Sequence, residues 1–234
     1  GAGILFIVKN YSGDIMNFQM ASEMITGASE TVLINDDVAV EDSSYTTGRR
    51  GVAATVIVEK IVGSLAETGG SLKECKILGD KVNRNSGSMG VAFSSCTVPA
   101  AGKPTFKLGP DEMEFGVGIH GEPGRRRDKV QPAQEITNEL LGAIIEDLKL
   151  ENNGEILLFV NGMGGTPLTE LYLLYDNAKK TLDNKNIKIA RSLVGNYCTS
   201  LEMQGASLTI TKLDQELKKH WDSPVHTAAM RWGL

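Results

Sequence analysis

One histidine lies among glycines in a stretch whose residue types favour chemistry. His120 belongs to the segment GIHGEPG at residues 118–124, where the glycines clear side-chain bulk from around the imidazole. Imidazole is the side chain best suited to act as acid, base or nucleophile near neutral pH. Glu122 is close enough in sequence to influence the protonation of His120. The alternative, which these residues leave open, is a histidine that only satisfies a turn by hydrogen bonding.

A second candidate is Asp14, which follows Gly13 between a predicted strand and a predicted helix. An aspartate at such a junction often caps the helix by accepting backbone N–H groups, and the local sequence favours that structural role. Ligands of α/β units bind beyond the carboxyl ends of the strands. Asp14 and the acidic pair at 36–37 would face that crevice, so capping and ligand binding are compatible.

Several other motifs favour a structural role. The segment GMGG at 162–165 is neither GxGxxG nor a Walker motif, and it predicts a tight strand-to-helix turn rather than an anion cradle. The pair Arg49-Arg50 could meet phosphate or an acidic partner, but adjacent arginines in an exposed loop are more often solvated. Acidic residues at 111–114 indicate a polar strand edge. His220 and His226 are expected to be structural.

Composition and charge exclude several classes of function. The chain has 234 residues and a net charge of −5, whereas a nucleic-acid-binding protein would present a basic face. No apolar run approaches the ~20 residues that span a bilayer, and no secretory leader is evident. Three widely spaced cysteines without metal-site spacing (Cys75, Cys96 and Cys198) predict reduced thiols. We therefore expect a cytoplasmic protein that binds neither metal, nucleic acid nor membrane.

Alternating strand and helix patterns must position the candidate residues. Apolar runs at 4–8 and 31–34, with helical spacing between them, predict a βαβ unit. Two helices are predicted next, at 52–67 and 71–85, and the second opens with a capping box at Ser71. A linker is predicted at 85–88.

The second half of the chain continues the alternation. Its predicted strands lie at 90–95, 112–119, 155–160, 187–194 and 207–213, and its predicted helices at 133–150, 168–182 and 215–221. The fold class is α/β, in two α/β domains with mixed or parallel sheets. The first domain, residues 1–87, carries Asp14, and the second, residues 88–234, carries His120.

Six segments carry more specific motifs, in order along nearly the whole chain. They are VKNYSGD at 8–14 (followed by MNF at 16–18), DDVA at 36–39, GRRGVA at 48–53, GVGIHGEPG at 116–124, VNGMGGTP at 160–167 and TSLEM at 199–203. Together they closely resemble the substrate-binding DhaK subunits of dihydroxyacetone kinases. The NYSGD and GIHGEPG motifs are the most specific.

The resemblance implies covalent capture of the substrate. In that family the histidine of GIHGEPG, here His120, adds to the ketone carbon of dihydroxyacetone and holds it as a hemiaminal. Glycerol has no carbonyl, so covalency selects the ketone over the polyol. The aspartate of NYSGD, here Asp14, would lie by a terminal hydroxyl and act as general base during phosphate transfer.

The resemblance also implies that the phosphate donor lies elsewhere. The chain has no nucleotide motif, and its ending resembles the bacterial phosphotransferase-linked form. In that form a separate helical subunit holds ADP and Mg²⁺ and is phosphorylated through a phosphohistidine carrier. No cofactor is expected in this chain, which is expected to form a homodimer. Arg49-Arg50 and the loop at 99–104 are candidate docking positions.

Two other functions stay open. Some paralogues bind dihydroxyacetone and activate a transcription regulator without transferring phosphate, and Asp14 argues against that reading because a sensor needs no general base. A fragment of a single-chain ATP-dependent kinase is disfavoured by the C-terminal ending. Family members also carry an upstream SGGGSGHEP-like segment with a second histidine, which these residues lack. We therefore expect the first domain to be incomplete and this segment alone to be poorly active.

Overall fold

A computed structural model describes residues 3–39 and 48–233 of the chain. The helices are α1 (Ser12–Glu23), α2 (Ala54–Glu67), α3 (Leu72–Arg84), α4 (Ala133–Leu148), α5 (Leu168–Asn184) and α6 (Gln215–Asp222). The strands are β1 (Ile4–Lys9), β2 (Ser29–Ile34), β3 (Ser86–Ala92), β4 (Thr97–Val98), β5 (Lys103–Pro104), β6 (Glu112–Phe115), β7 (Arg126–Lys129), β8 (Glu155–Gly162), β9 (Lys188–Gly195), β10 (Gly205–Lys212), β11 (Val225–His226) and β12 (Arg231–Trp232).

The N-terminal segment forms the predicted βαβ unit. Strands β1 and β2 pair in parallel, with Val8 opposite Leu33, and α1 connects them. The alternation of buried Val32 and Ile34 with exposed Leu33 directs one face of β2 into the core. Helix α1 contributes no buried side chain. The carboxyl end of β1 therefore leads directly into a helix on the surface of the protein.

The second sheet has six strands and is mixed. Its order is β7-β6-β3-β10-β8-β9, and only the β8–β9 pair is parallel. Helices α4 and α5 bury their apolar residues against one face. The opposite face of β8 packs against a core that includes α2 and α6. The fold is therefore α/β with a mixed sheet, as predicted.

The linker predicted at 85–88 is wrong, because β3 begins at Ser86 and is buried along its whole length. The hydroxyl of Ser86 lies 2.7 Å from Oγ1 of Thr211, and that of Ser88 lies 2.7 Å from Oγ1 of Thr209. These small polar side chains satisfy one another between two central strands. The serines of this segment therefore suggested a linker, although the segment is a buried strand.

The division at residue 87 stays a prediction, and one apolar cluster includes side chains from both sides of it. Ile57 and Ile61 of α2 lie in the same cluster as Leu157 and Phe159 of β8. The two halves of the chain thus share buried surface.

Local signals placed most helices, and one strand was overextended. The capping box at Ser71 is present, with its hydroxyl and backbone both bonded to Glu74. The strand predicted at 112–119 ends at Phe115, because Gly116 adopts a φ of +75° and turns the chain. Strand β7 and the two short hairpins β4–β5 and β11–β12 were not predicted.

Among the described residues, no helix combines the length and apolar character needed to cross a bilayer.

Candidate functional site

The loop that carries His120 joins β6 to β7 and folds tightly on itself. A Cβ atom at Gly118 would lie 2.1 Å from Oε2 of Glu122, and one at Gly124 would lie 1.9 Å from the carbonyl oxygen of Phe115. Both distances are far below van der Waals contact. The glycines of the motif are therefore required for the close approach of the loop to its own carboxylate and strand.

Glu122 binds His120 twice. Its Oε1 lies 3.0 Å from ring Nδ1, and its Oε2 accepts the backbone N–H of His120 at 3.0 Å. An ionised carboxylate can only accept, so Nδ1 carries a proton, and in the neutral form of the ring Nε2 holds the lone pair. The His120 side chain is 55% exposed, whereas that of Glu122 is 9% exposed. The loop thus presents a partly exposed imidazole above a shielded carboxylate.

The electrostatics keep that carboxylate charged. Burial raises the pKa of Glu122, but the hydrogen bond from the His120 ring, the backbone hydrogen bonds and the positive charge of that ring in its protonated form lower the pKa by more. The net pKa is below the ordinary value for glutamate. Glu122 is therefore ionised at neutral pH and holds the Nδ1 proton in place.

Arg50 braces the loop from the N-terminal half of the chain. Its side chain is fully buried, and its Nε donates to Oδ2 of Asp37 at 2.8 Å. Its Nη2 donates to the carbonyl of Gly116 at 2.6 Å, and its Nη1 to the carbonyl of Pro123 at 3.3 Å. The planar guanidinium has donors enough to join all three acceptors. The brace therefore clamps both ends of the His120 loop to the segment that follows β2.

The expectation of a solvated arginine pair is wrong at this position. Arg50 is buried, and Arg49 makes a bidentate pair with Asp147, at 2.9 and 2.5 Å. The acceptors come from distant parts of the chain, which a local reading of two adjacent arginines could not anticipate. Arg50 is therefore excluded as a docking residue on a free surface.

The acidic pair at 36–37 also has structural duties. Asp36 accepts the backbone N–H groups of Val52 at 2.7 Å and Ala54 at 2.9 Å, at the start of α2. Asp37 pairs with Arg50. The two carboxylates therefore hold the segment at residues 50–54, which includes Arg50, in place.

Asp14 lies in the first turn of α1 and is half-buried. The helix N-cap is Tyr11, and its side chain makes no capping bond, so the expectation that Asp14 is the N-cap is wrong. Tyr11 packs its ring against that of His120, with centroids 4.4 Å apart. One helical turn thus separates Asp14 from a residue that touches the imidazole. Among the described residues, no hydrogen bond joins Asp14 to His120.

A hairpin flanks the other side of the loop. A Cβ atom at Gly121 would lie 2.4 Å from Oγ1 of Thr105 and 3.5 Å from Cδ1 of Phe106, just beyond β5. Glu202 accepts the backbone N–H of Thr97 at 2.8 Å and so anchors the same hairpin. The candidate docking loop at 99–104 forms its tip, and that role stays a prediction.

The weaker candidates have structural surroundings. A Cβ atom at Gly164 would lie 1.8 Å from the carbonyl oxygen of Leu201, as a tight turn requires. Glu114 accepts from the backbone of Gly124. His220 is buried, with Nδ1 3.0 Å from Oγ of Ser64. In the described part of the chain no group of His, Cys, Asp and Glu could hold a metal ion, and the cysteines are free.

Sequence reasoning missed two residues of the site, Tyr11 and Arg50. Tyr11 was visible in the NYSGD motif, but nothing local indicated that its ring would meet His120. Arg50 was visible within GRRGVA, but its burial depends on the carbonyls of a loop more than sixty residues away, with a separation of 66 for Gly116. Co-occurrence of both motifs with GIHGEPG was the available signal.

The chain is similar to known proteins over almost its whole length. The Dak1 domain family matches residues 1–229. A dihydroxyacetone-binding DhaK subunit of a PTS-dependent dihydroxyacetone kinase from Listeria innocua is 50% identical, over 92% of this chain and 67% of that protein. The dihydroxyacetone-binding DhaK subunit of the PEP-dependent kinase of Escherichia coli is 44% identical, over 100% of this chain and 73% of that protein.

A solved structure has the same fold at lower identity. The dihydroxyacetone kinase operon co-activator DhaQ superposes with a TM-score of 0.87 at 31% identity, over 96% of this chain and 70% of that chain. The proteins that this chain is similar to therefore include both dihydroxyacetone-binding kinase subunits and a co-activator.

Proposed function

The chain belongs to the Dak1 domain family, and on that premise we propose that it is the dihydroxyacetone-binding subunit of a phosphotransferase-linked dihydroxyacetone kinase. The DhaK relatives support this assignment, since their names describe such subunits. The observation that carries the chemistry is the hydrogen bond from Nδ1 of His120 to Glu122, at 3.0 Å. That bond leaves Nε2 as the nucleophile.

The proposed capture is an addition to a carbonyl. The Nε2 lone pair of His120 forms a bond to the ketone carbon, and the π pair of the carbonyl moves onto its oxygen. That oxygen takes a proton from solvent, and the Nδ1 proton, held by Glu122, is released to restore a neutral ring. The product is a hemiaminal, with atoms and charge balanced. The ionised Glu122 stabilises the positive charge that the ring carries during the addition.

Asp14 is proposed to act in the next step. Asp14 is half-buried in the first turn of α1, three residues after Tyr11, whose ring contacts His120. It would accept the proton of a terminal hydroxyl as that oxygen attacks phosphorus. Help of this kind is typically worth ~10²–10⁴ in rate. The remaining acceleration comes from positioning and charge neutralisation.

The phosphate is proposed to arrive on a partner. A separate helical subunit would bring ADP and Mg²⁺, and a phosphocarrier would rephosphorylate it. The exposed face of His120 suits this arrangement, because a captured ketone would project towards solvent and the partner. We also propose that the protein is a cytoplasmic homodimer.

The test uses the full-length protein and measures two products, the covalent adduct and dihydroxyacetone phosphate. Dihydroxyacetone should add the mass of one whole ligand, about 90 Da, to the wild type, because an addition to a carbonyl loses no atoms. It should add nothing to His120→Ala. With the helical ADP-bearing subunit and a phosphate donor, dihydroxyacetone phosphate should form. Asp14→Asn should keep the adduct and lose turnover by roughly 10²-fold or more. A wild-type protein without an adduct would refute the covalent capture, and a fully active Asp14→Asn would refute the base.

A co-activator function is the second candidate, supported by the similarity to DhaQ at a TM-score of 0.87. A co-activator would form the same adduct but yield no phosphorylated product with any donor subunit. The turnover assay therefore separates the two functions.

A further inference from the structure

Tyr11 and His120 make an edge-on ring contact that joins the two halves of the site. Their ring centroids are 4.4 Å apart and their planes cross at 79°. Edge-to-face pairs at this distance are favourable, because the positive edge of one ring meets the negative face of the other. Glu122 fixes one ring nitrogen of His120 but leaves the ring free to tilt about that hydrogen bond. The tyrosine ring supplies the second restraint.

The hydroxyl of Tyr11 is not explained by packing. Tyr11 is only 5% exposed, and its Oη has no hydrogen-bond partner among the described residues. Burying a hydroxyl without a partner destabilises the folded state. A phenylalanine would make the same ring contact without that cost. The hydroxyl therefore points to a role in a state other than the ligand-free one.

The charged groups around the hydroxyl indicate its acceptor. Glu122 is bonded to the same imidazole that the Tyr11 ring contacts, and after burial it contributes most to the raised pKa of Tyr11. Tyr11 is thus protonated and able to donate. Arg50 cannot accept. Asp37 already has three donors, two nitrogens of Arg50 and the backbone of Ala39. Asp36 also has three, in Val52, Ala54 and Ser88. Glu122 accepts two bonds, both from His120, and a carboxylate has about four acceptor positions.

We propose that Tyr11 is a positioning residue for His120, whose ring fixes the plane of the imidazole and whose hydroxyl donates to Glu122 when the imidazole carries a ligand. In the neutral adduct Nδ1 has lost its proton, so the ring no longer donates a hydrogen bond to the Glu122 carboxylate. A donor from the buried side would then keep Glu122 in place. The hydroxyl's part in this rests on the proposed covalent capture, whereas the ring's part does not.

The first measurement uses the ligand-free protein. The ¹⁵N shifts of the His120 ring should report the Nδ1–H tautomer in the wild type and in Tyr11→Phe, and a mixture of tautomers in Tyr11→Leu. Tyr11→Met gives the same comparison if the leucine variant does not fold. Removal of the orphan hydroxyl in Tyr11→Phe should raise Tm by about 2–4 °C. Wild-type His120 signals in the leucine or methionine variant would overturn the positioning role.

The second measurement titrates the adduct with ¹³C-labelled dihydroxyacetone. Tyr11→Phe should weaken the adduct by roughly 2- to 12-fold, as expected for one lost hydrogen bond, despite its greater stability without ligand. Tyr175→Phe, at a half-buried tyrosine of α5, is the matched control and should leave the adduct unchanged. Equal affinity of wild type and Tyr11→Phe would overturn the role of the hydroxyl. If the wild type forms no adduct, the proposed capture fails, while the ligand-free spectra still decide the ring's role.

Discussion

The carboxylate of Glu122 accepts hydrogen bonds from both the ring Nδ1 and the backbone N–H of His120, each at 3.0 Å. The two residues are only two positions apart in the sequence. One side chain thereby sets the conformation of the loop, the tautomer of the imidazole and the charge beneath it. The arrangement resembles the way carboxylates orient histidines in other nucleophilic sites, where the proton on one nitrogen frees the other.

Glu122→Gln should weaken the dihydroxyacetone adduct. The amide can still accept from Nδ1, but it loses the charge that stabilises the ring during addition. Replacing a charge-assisted bond by a neutral one costs about 1–2 kcal/mol, or roughly 5- to 30-fold in adduct affinity. Intact-protein mass spectrometry over a ligand titration measures the change. Glu112→Gln, at the start of β6, is the control, and an equal effect there would refute a specific role for Glu122.

Gly118→Ala should disrupt the loop. The new Cβ would lie 2.1 Å from Oε2 of Glu122 and 2.9 Å from Nη1 of Arg50, so the carboxylate must move. We expect a loss of about 1–3 kcal/mol in the free energy of unfolding, together with loss of the adduct. Gly142→Ala in α4 meets open space and should instead stabilise the protein by roughly 0.5–1 kcal/mol. Urea unfolding compares the two, and a neutral Gly118→Ala would contradict the described loop.

Arg50→Met should destabilise the protein far more than Arg49→Met. The first change leaves Asp37 buried without its cation, which typically costs about 3–5 kcal/mol. The second removes one partner of a partly exposed pair with Asp147, worth about 1 kcal/mol or less. The free energies of unfolding in urea give both values. Similar losses of unfolding free energy in the two variants would contradict a buried ion pair between Arg50 and Asp37.

His220 should make stability depend on pH. Burial, followed by the charge of Lys219, lowers its pKa below the usual value near 6.5. A base with a lowered folded pKa contributes its full stability above the unfolded pKa, and this is lost as pH falls through the folded pKa. Wild-type stability should therefore decline below about pH 6.5, by up to about 1.4 kcal/mol per pH unit from this group.

The comparison that isolates this effect uses two variants. His220→Gln should flatten the decline in unfolding free energy between pH 7.5 and pH 5. His226→Gln, at an exposed position, should leave the wild-type slope intact. An unchanged slope in His220→Gln would assign the pH dependence to other groups.

Local order was largely predictable from the sequence. The βαβ unit, the capping box at Ser71 and the helices α4 and α5 follow from apolar periodicity and local capping, which act over a few residues. The strand at Ser86 was missed, because its hydroxyls are satisfied only by Thr211 and Thr209 on a strand far along the chain. Periodicity cannot detect a polar strand whose partners are remote.

The sequence by itself determined the chemistry of the loop, because His120, Glu122 and their glycines interact within one turn. It also placed the family through motifs at 10–14 and 118–124. Only the tertiary structure decided that Tyr11 packs on the imidazole and that Arg50 is buried beneath the loop. Both contacts form between segments far apart in sequence, and their burial depends on which surfaces the folded chain brings together. No local pattern of residues encodes that choice.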